Sequence, residues 1–214
     1  MNLEYLLEIL PNFASATVLT VLISFGSALL GAVIGFALQA INRQGNYYFN
    51  LFYKGYVWIV RGTPFLVQLF IFYYGLPVLG LKLTAIEASV LSLGIYASGY
   101  FAEIFRAAWN NISPGHHEAA VSLGMSPIQS FFHIQTPQAL RFSIPLITNQ
   151  TLLIIKESAL TSIITVPELT MRAGQIVAET FNFVEPYIIL ALLYWLLTFL
   201  TSLLGRYFER RFNY

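Results

Sequence analysis

Residues 9–42 read ILPNFASATVLTVLISFGSALLGAVIGFALQAIN, 34 residues without a charge between Glu8 and Arg43. A hydrocarbon layer about 30 Å thick needs about 20 apolar residues in helical form, so this stretch exceeds one crossing and predicts a first helix over 13–41. The residues before it are acidic, not basic, and residues 1–11 lack the short apolar core and cleavage site of a secretory signal, so the helix reads as retained. Gly31 and Gly35 are four apart, a spacing that permits close helix contact, although glycine is common enough in apolar runs for chance to produce it as readily.

Outward from this stretch the same reasoning predicts further crossings over 55–79, 84–108, 142–165 and 185–204. The composition agrees. Of 214 residues 57% are hydrophobic and 10% charged, with a mean hydropathy of +0.68, whereas soluble domains carry about 25% charged residues. The fold class is therefore all-α integral membrane, a five-transmembrane-helix bundle forming one domain over 1–214, and a soluble enzyme fold is set aside. The 11 basic and 10 acidic residues nearly cancel, so no field directs the chain to nucleic acid. There is no cysteine, which excludes disulfides and thiolate metal sites.

Residues 110–140 form the longest segment between predicted crossings. Pro127, Pro137, His133 and Gln129 argue against a sixth crossing, and Ser113-Pro114-Gly115 can start a short helix that Gly124 ends, leaving a second one beyond it. Counting cations fixes the orientation. With the N-terminus outside and the C-terminus inside, Arg43, Lys54, Arg106, Arg141, Arg206, Arg210 and Arg211 are cytoplasmic, and only Lys82 and Arg172 are external. Tyr47, Tyr48, Trp58, Trp109, Tyr187 and Tyr207 read as interfacial belt residues.

Chemistry-bearing residues concentrate in two predicted crossings. Arg61 and Gln68 are seven apart, hence on one helical stripe, and polar groups at membrane depth are costly enough to face a cavity or a partner unless Arg61 snorkels to the interface. Pro64 loosens the backbone between them. In the fourth helix Gln150, Glu157 and Thr161 share a face, with Lys156 about 100° round. A carboxylate there calls for a cation, either a substrate's or the protein's own. Glu103 and Arg106 have the spacing of a local ion pair. His116, His117 and Glu118 do not make a metal site, since adjacent helical residues diverge by about 100° and nothing completes the set. No nucleophile, base and acid triad is readable, and no Gly-x-x-x-x-Gly-Lys-Ser/Thr run is present, so any ATP hydrolysis belongs to another chain.

Glu118-Ala119-Ala120 followed by Gly124, then Ile134 and Pro137, resembles the loop signature of permease subunits of ATP-binding-cassette importers, with Thr136 in place of the usual aliphatic residue. A charge opening a short helix, small alanines and a glycine turn would form a rigid knob for a partner's groove. The block Arg61-Gly62-Thr63-Pro64-Phe65-Leu66-Val67-Gln68 and the run Lys156-Glu157-Ser158 look like the subfamily that imports polar amino acids. The resemblance implies a type I importer fold in a bacterial cytoplasmic membrane, with residues 110–140 as a cytoplasmic coupling-helix loop. It implies ATPase coupling through Glu118, Ala119, Ala120, Gly124 and Met125. Substrate contacts would come from Arg61, Gly62, Thr63, Gln68, Gln150, Glu157, Ser158 and Thr161. The implied partners are a nucleotide-binding ATPase subunit that holds ATP and Mg, a second permease copy or paralogue, an external solute-binding protein, a polar amino acid as substrate, a basic one where Glu157 meets its side chain, and membrane lipid. No cofactor is expected in this chain. An ion-driven carrier or channel is the competing expectation; it would use Glu157 and Arg61 but leave the glycine-turn loop unexplained.

Overall fold

The computed structural model describes residues 8–43 and 45–212, and among them every regular element is helical. The reading of residues 1–11 as a retained start falls mostly outside this range. The elements are α1 (Leu10–Asn42, opening with a 3-10 turn), α2 (Tyr47–Gly62), α3 (Phe65–Leu79), α4 (Ala85–Asn110), α5 (Pro114–Ser122), α6 (Pro127–Ser130), α7 (Thr136–Glu157), α8 (Leu169–Thr180) and α9 (Val184–Phe212). Among the described residues α1, α4 and α9 are long and apolar enough to cross a membrane, and the bent pair α2 and α3 is a fourth if counted as one span. At 22 residues, or about 33 Å, α7 is long enough too, but Arg141, Asn149, Gln150, Lys156 and Glu157 make it too polar to qualify by composition.

The helix expected over 55–79 is instead two helices meeting at 102°. Thr63, ahead of Pro64, is extended at φ −109° and ψ 139°, the conformation a following proline favours. The break frees carbonyls at the end of α2, and a side chain answers them: Gln68 Nε2 donates to Val60 O at 2.8 Å and to Thr63 Oγ1 at 2.8 Å. Arg61 and Gln68 are therefore on different helices, not on one stripe. The helix expected over 142–165 starts earlier, with Pro137 in its first turn, and ends at Glu157; Ser158–Ile164 continues as a 3-10 helix up to left-handed Thr165. The start of α4 follows a capping box, in which Thr84 Oγ1 accepts from Glu87 N and Glu87 Oε2 accepts from Thr84 N.

Helices α1 and α4 run parallel and make the central contact. Gly31 sits over Gly94 and Ala97, Gly35 over Ser98, Phe101 and Ala102, and Phe36 reaches Phe105 and Trp109. A Cβ at Gly35 would lie 2.7 Å from Ala102 N and 2.8 Å from Ser98 O, both backbone. The four-residue glycine spacing is thus a packing device. Gly35→Leu should lower the melting temperature in detergent by several degrees, since overpacking costs about 1–3 kcal/mol. Gly26→Ala should leave it unchanged, because a Cβ there meets only Val90 Cγ1 at 4.0 Å.

These contacts sort the molecule into two ends. One carries Arg43, α5, α6 and the end of α9; the other carries the start of α1, the loop before α4, and α8. At the latter, Leu169, Ala173 and Ile176 pack on Ile9, Phe13 and Ala16. Glu168, fully buried, caps α8 there by accepting from Met171 N at 2.8 Å and from the Tyr194 hydroxyl at 2.8 Å. Five of the six expected belt aromatics are exposed, but Trp109 is only 2% exposed and stacks on Phe131. Its position near a helix end suggested an interface; its tertiary partner buries it instead.

Candidate functional site

The residues expected from the sequence to meet substrate fall into three groups. Arg61 and Gly62, at the end of α2, line an open cleft of about 610 Å³ together with Lys54, Trp58, Tyr100 and Glu103. Glu103 is its organising group. Arg106 donates to it in a fork at 2.9 and 2.8 Å, Tyr53 donates its hydroxyl at 3.1 Å, and the Arg61 guanidinium approaches to 3.6 Å. The local Glu103–Arg106 pair is present as expected, and Arg61 joins it from another helix. Two cationic side chains, Arg106 and Arg61, thus face one carboxylate, and Lys54 adds a third cation to the lining.

Thr63 and Gln68 form the second group, and both serve the break between α2 and α3. Thr63 Oγ1 donates to Ile59 O at 2.9 Å and accepts from Gln68, which is itself buried. In this conformation neither side chain faces the cleft that holds Arg61.

The third group lies at the end of α7. Gln150 and Glu157 share one α-helix, but Thr161 belongs to the 3-10 stretch, whose three-residue turn ends the common register. Ser158 and Thr161 are fully buried and their hydroxyls bond locally, Ser158 to Ile155 O at 2.8 Å and Thr161 to Ser158 O at 2.7 Å. Gln150 is buried, Glu157 is partly exposed and Lys156 is exposed. Tyr96 of α4 lies in the neighbourhood of Glu157. From Tyr96 an aromatic line leads back to the first group: the rings of Tyr96 and Tyr100 are 5.0 Å apart, and the Arg61 guanidinium lies 5.2 Å from the Tyr100 ring centre. Tyr96 and Tyr100, absent from the sequence-based set, thus carry the Arg61 group along one edge of α4 toward the end of α7. Their four-residue spacing was the available signal.

The loop residues form a separate site at the basic end. The helix α5 begins at Pro114, with Ser113 as its N-cap, so Glu118 is one turn inside and does not open it. The expected charge effect at a helix start does not apply to Glu118. The end of α5 is a Schellman motif: left-handed Gly124, at φ +73°, donates to Val121 O at 2.9 Å, and Met125 N donates to Ala120 O at 3.0 Å. Ala120 is buried, whereas Glu118 and Ala119 are exposed. Val121, Leu123 and Ile128 beside them expose large apolar surface, Leu123 at 81%.

Residues 40–214 match the family described as the binding-protein-dependent transport system inner membrane component, and the chain belongs to that family. It is 34% identical over 211 residues to the probable amino-acid ABC transporter permease protein YckA of Bacillus subtilis (strain 168), covering 99% of this chain and 93% of that protein. It is 33% identical over 214 residues to the arginine transport system permease protein ArtQ of the same organism, covering 99% and 98%. The putative glutamine transport system permease protein GlnP of Rickettsia bellii (strain RML369-C) is 34% identical, with 97% of each chain covered. Among solved structures, an amino acid ABC transporter crystallised with histidines superposes with a TM-score of 0.91 at 34% identity over 99% of both chains. The MetNI methionine ABC transporter in its inward-facing form shares the fold, with a TM-score of 0.82 at 21% identity over 97% of this chain and 99% of that one.

Proposed function

We propose that the chain is the transmembrane subunit of an ATP-driven importer that moves a polar, basic amino acid across the cytoplasmic membrane, with ATP hydrolysed by a separate subunit. The observation that carries this reading is the exposed apolar surface of Val121, Leu123 and Ile128 around the Gly124 turn, at the end of the molecule richest in loop cations. Apolar side chains on a segment outside the spans are costly in water and suited to a partner's groove. In this reading α7 is the fifth crossing, the N-terminus is external, and two permease chains enclose the path, because five helices are too few to surround a gated route for an amino acid. A solute-binding protein delivers the substrate from outside.

Within the membrane, Glu157 meets the cationic end of the substrate and Arg61 its carboxylate, with Tyr96 and Tyr100 between them. Support for a basic substrate comes from the partly exposed Glu157, since an unpaired charge at the bilayer centre costs about 2.5 to 3.5 kcal/mol and a cationic ligand relieves it. Gln150, Ser158 and Thr161 shape the wall behind Glu157, and contact between their side chains and substrate requires the 3-10 stretch to move. The test is competition. Uptake of labelled arginine by the reconstituted complex should be suppressed most by excess lysine and histidine and least by glutamate. Strongest suppression by glutamate would refute the cation site.

A further inference from the structure

The loop that presents Gly124 meets the membrane bundle at the ends of α1 and α4. Trp109, one residue before the end of α4, and Phe131, just after α6, close its base: their rings stack 5.6 Å apart at 18°. Arg43, just past the end of α1, completes a ring of contacts. Its guanidinium lies 5.8 Å from the Trp109 ring centre, and its Nη2 donates to Gln135 Oε1 at 2.8 Å. Gln135 and Phe131 belong to one π-helical turn (Phe131–Gln135) that runs directly into α7, and Gln135 Nε2 donates to Ser130 Oγ at 3.3 Å. Phe36 of α1 packs on Trp109 at 5.3 Å. The C-terminal ends of α1 and α4 and the N-terminal end of α7 therefore meet at four side chains, one of them the buried tryptophan.

Among the described side chains of α5 Ala120 is buried, and a groove of about 310 Å³ lined by Arg43, Trp109, Pro114, Glu118 and Gln135 lies between that helix and the ring. Closely packed aromatic and charge-assisted contacts move as one body, whereas a loop joined by backbone alone would flex without shifting its neighbours.

We propose that the Arg43–Trp109–Phe131–Gln135 ring is the joint through which displacement of the Gly124 loop is passed to α1, α4 and α7. These four act as positioning residues in ATP-driven transport, an inference that rests on the function proposed above. The ring holds the base of the loop rigid, so force at Gly124 rotates the helix ends instead of bending the connection. Two of its members are far enough from the core to be altered without a cavity, Arg43 being exposed and Gln135 partly so.

The experiment uses the whole complex, permease with ATPase and binding protein, in proteoliposomes, and reads labelled amino acid imported per ATP hydrolysed from an equimolar amino-acid mixture. Arg43→Ala and Gln135→Ala should each lower that ratio several-fold, with ATPase co-purification unchanged. The double variant should lose less than the product of the two single losses, because both singles remove the Arg43–Gln135 bond. Gln135→Glu, which keeps the acceptor, should stay near wild type. A ratio unchanged in both alanine variants would overturn the joint, as would a loss of ATPase co-purification that fully accounts for reduced uptake, since the ring would then be only a fold anchor. If the wild-type complex imported amino acid without hydrolysing ATP, the functional reading itself would fail and the joint with it.

Discussion

Gly124→Val should abolish ATP-driven uptake while leaving the membrane bundle folded. Gly124 holds φ +73°, and a Cβ there meets no atom within 4 Å, so the substitution introduces no clash. Its cost is backbone strain alone, about 1–2 kcal/mol for a residue with a Cβ and more for a β-branched one. That cost is relieved by leaving the left-handed region, which breaks the bonds from Gly124 to Val121 and from Met125 to Ala120 and swings α6 away from α5. The exposed apolar residues on the two short helices then no longer form one surface. Thermal unfolding in detergent should remain close to wild type, and co-purification of the ATPase should be lost along with uptake. If the valine variant kept both, the loop would be an ordinary surface feature.

Glu157→Gln should reduce arginine uptake about ten- to hundredfold in kcat/KM. The estimate follows from the loss of one charge-assisted contact worth about 1.5–3 kcal/mol. Uptake of a neutral amide such as glutamine should fall far less, so the ratio of the two rates isolates the charge from general damage. The same variant assayed for stability should show little change, since Glu157 is partly exposed and its removal empties no core. Arginine transport at the wild-type rate in this variant would remove Glu157 from the substrate site.

The helices α1, α4 and α9 were legible because each is long and apolar enough to cross a membrane. The break in the second crossing was only half legible. Pro64 announced a disturbance, but whether the helix bends or parts depended on a partner for the freed Val60 carbonyl, which Gln68 supplies from the far side of the break. Gly31 and Gly35 could not be read as packing residues without knowing that Ser98 and Ala102 pass beneath them. Trp109 looked like a belt residue for the same reason, because Phe131, which buries it, belongs to a distant turn. At the candidate site, residue identities were legible and their groupings were not. The sequence pointed to Arg61 and Glu157, whereas the tyrosines that extend the Arg61 group along α4 emerge only when α2 is laid against that helix.

The energy source of transport tests the central claim most directly, and it also separates the importer from an ion-driven carrier. The permease, reconstituted with its ATPase and binding protein, should take up amino acid only when hydrolysable ATP is supplied to the ATPase side. It should continue to do so after ionophores have collapsed every ion gradient. Uptake by the permease chain alone, driven by an ion gradient and indifferent to ATP, would contradict the account.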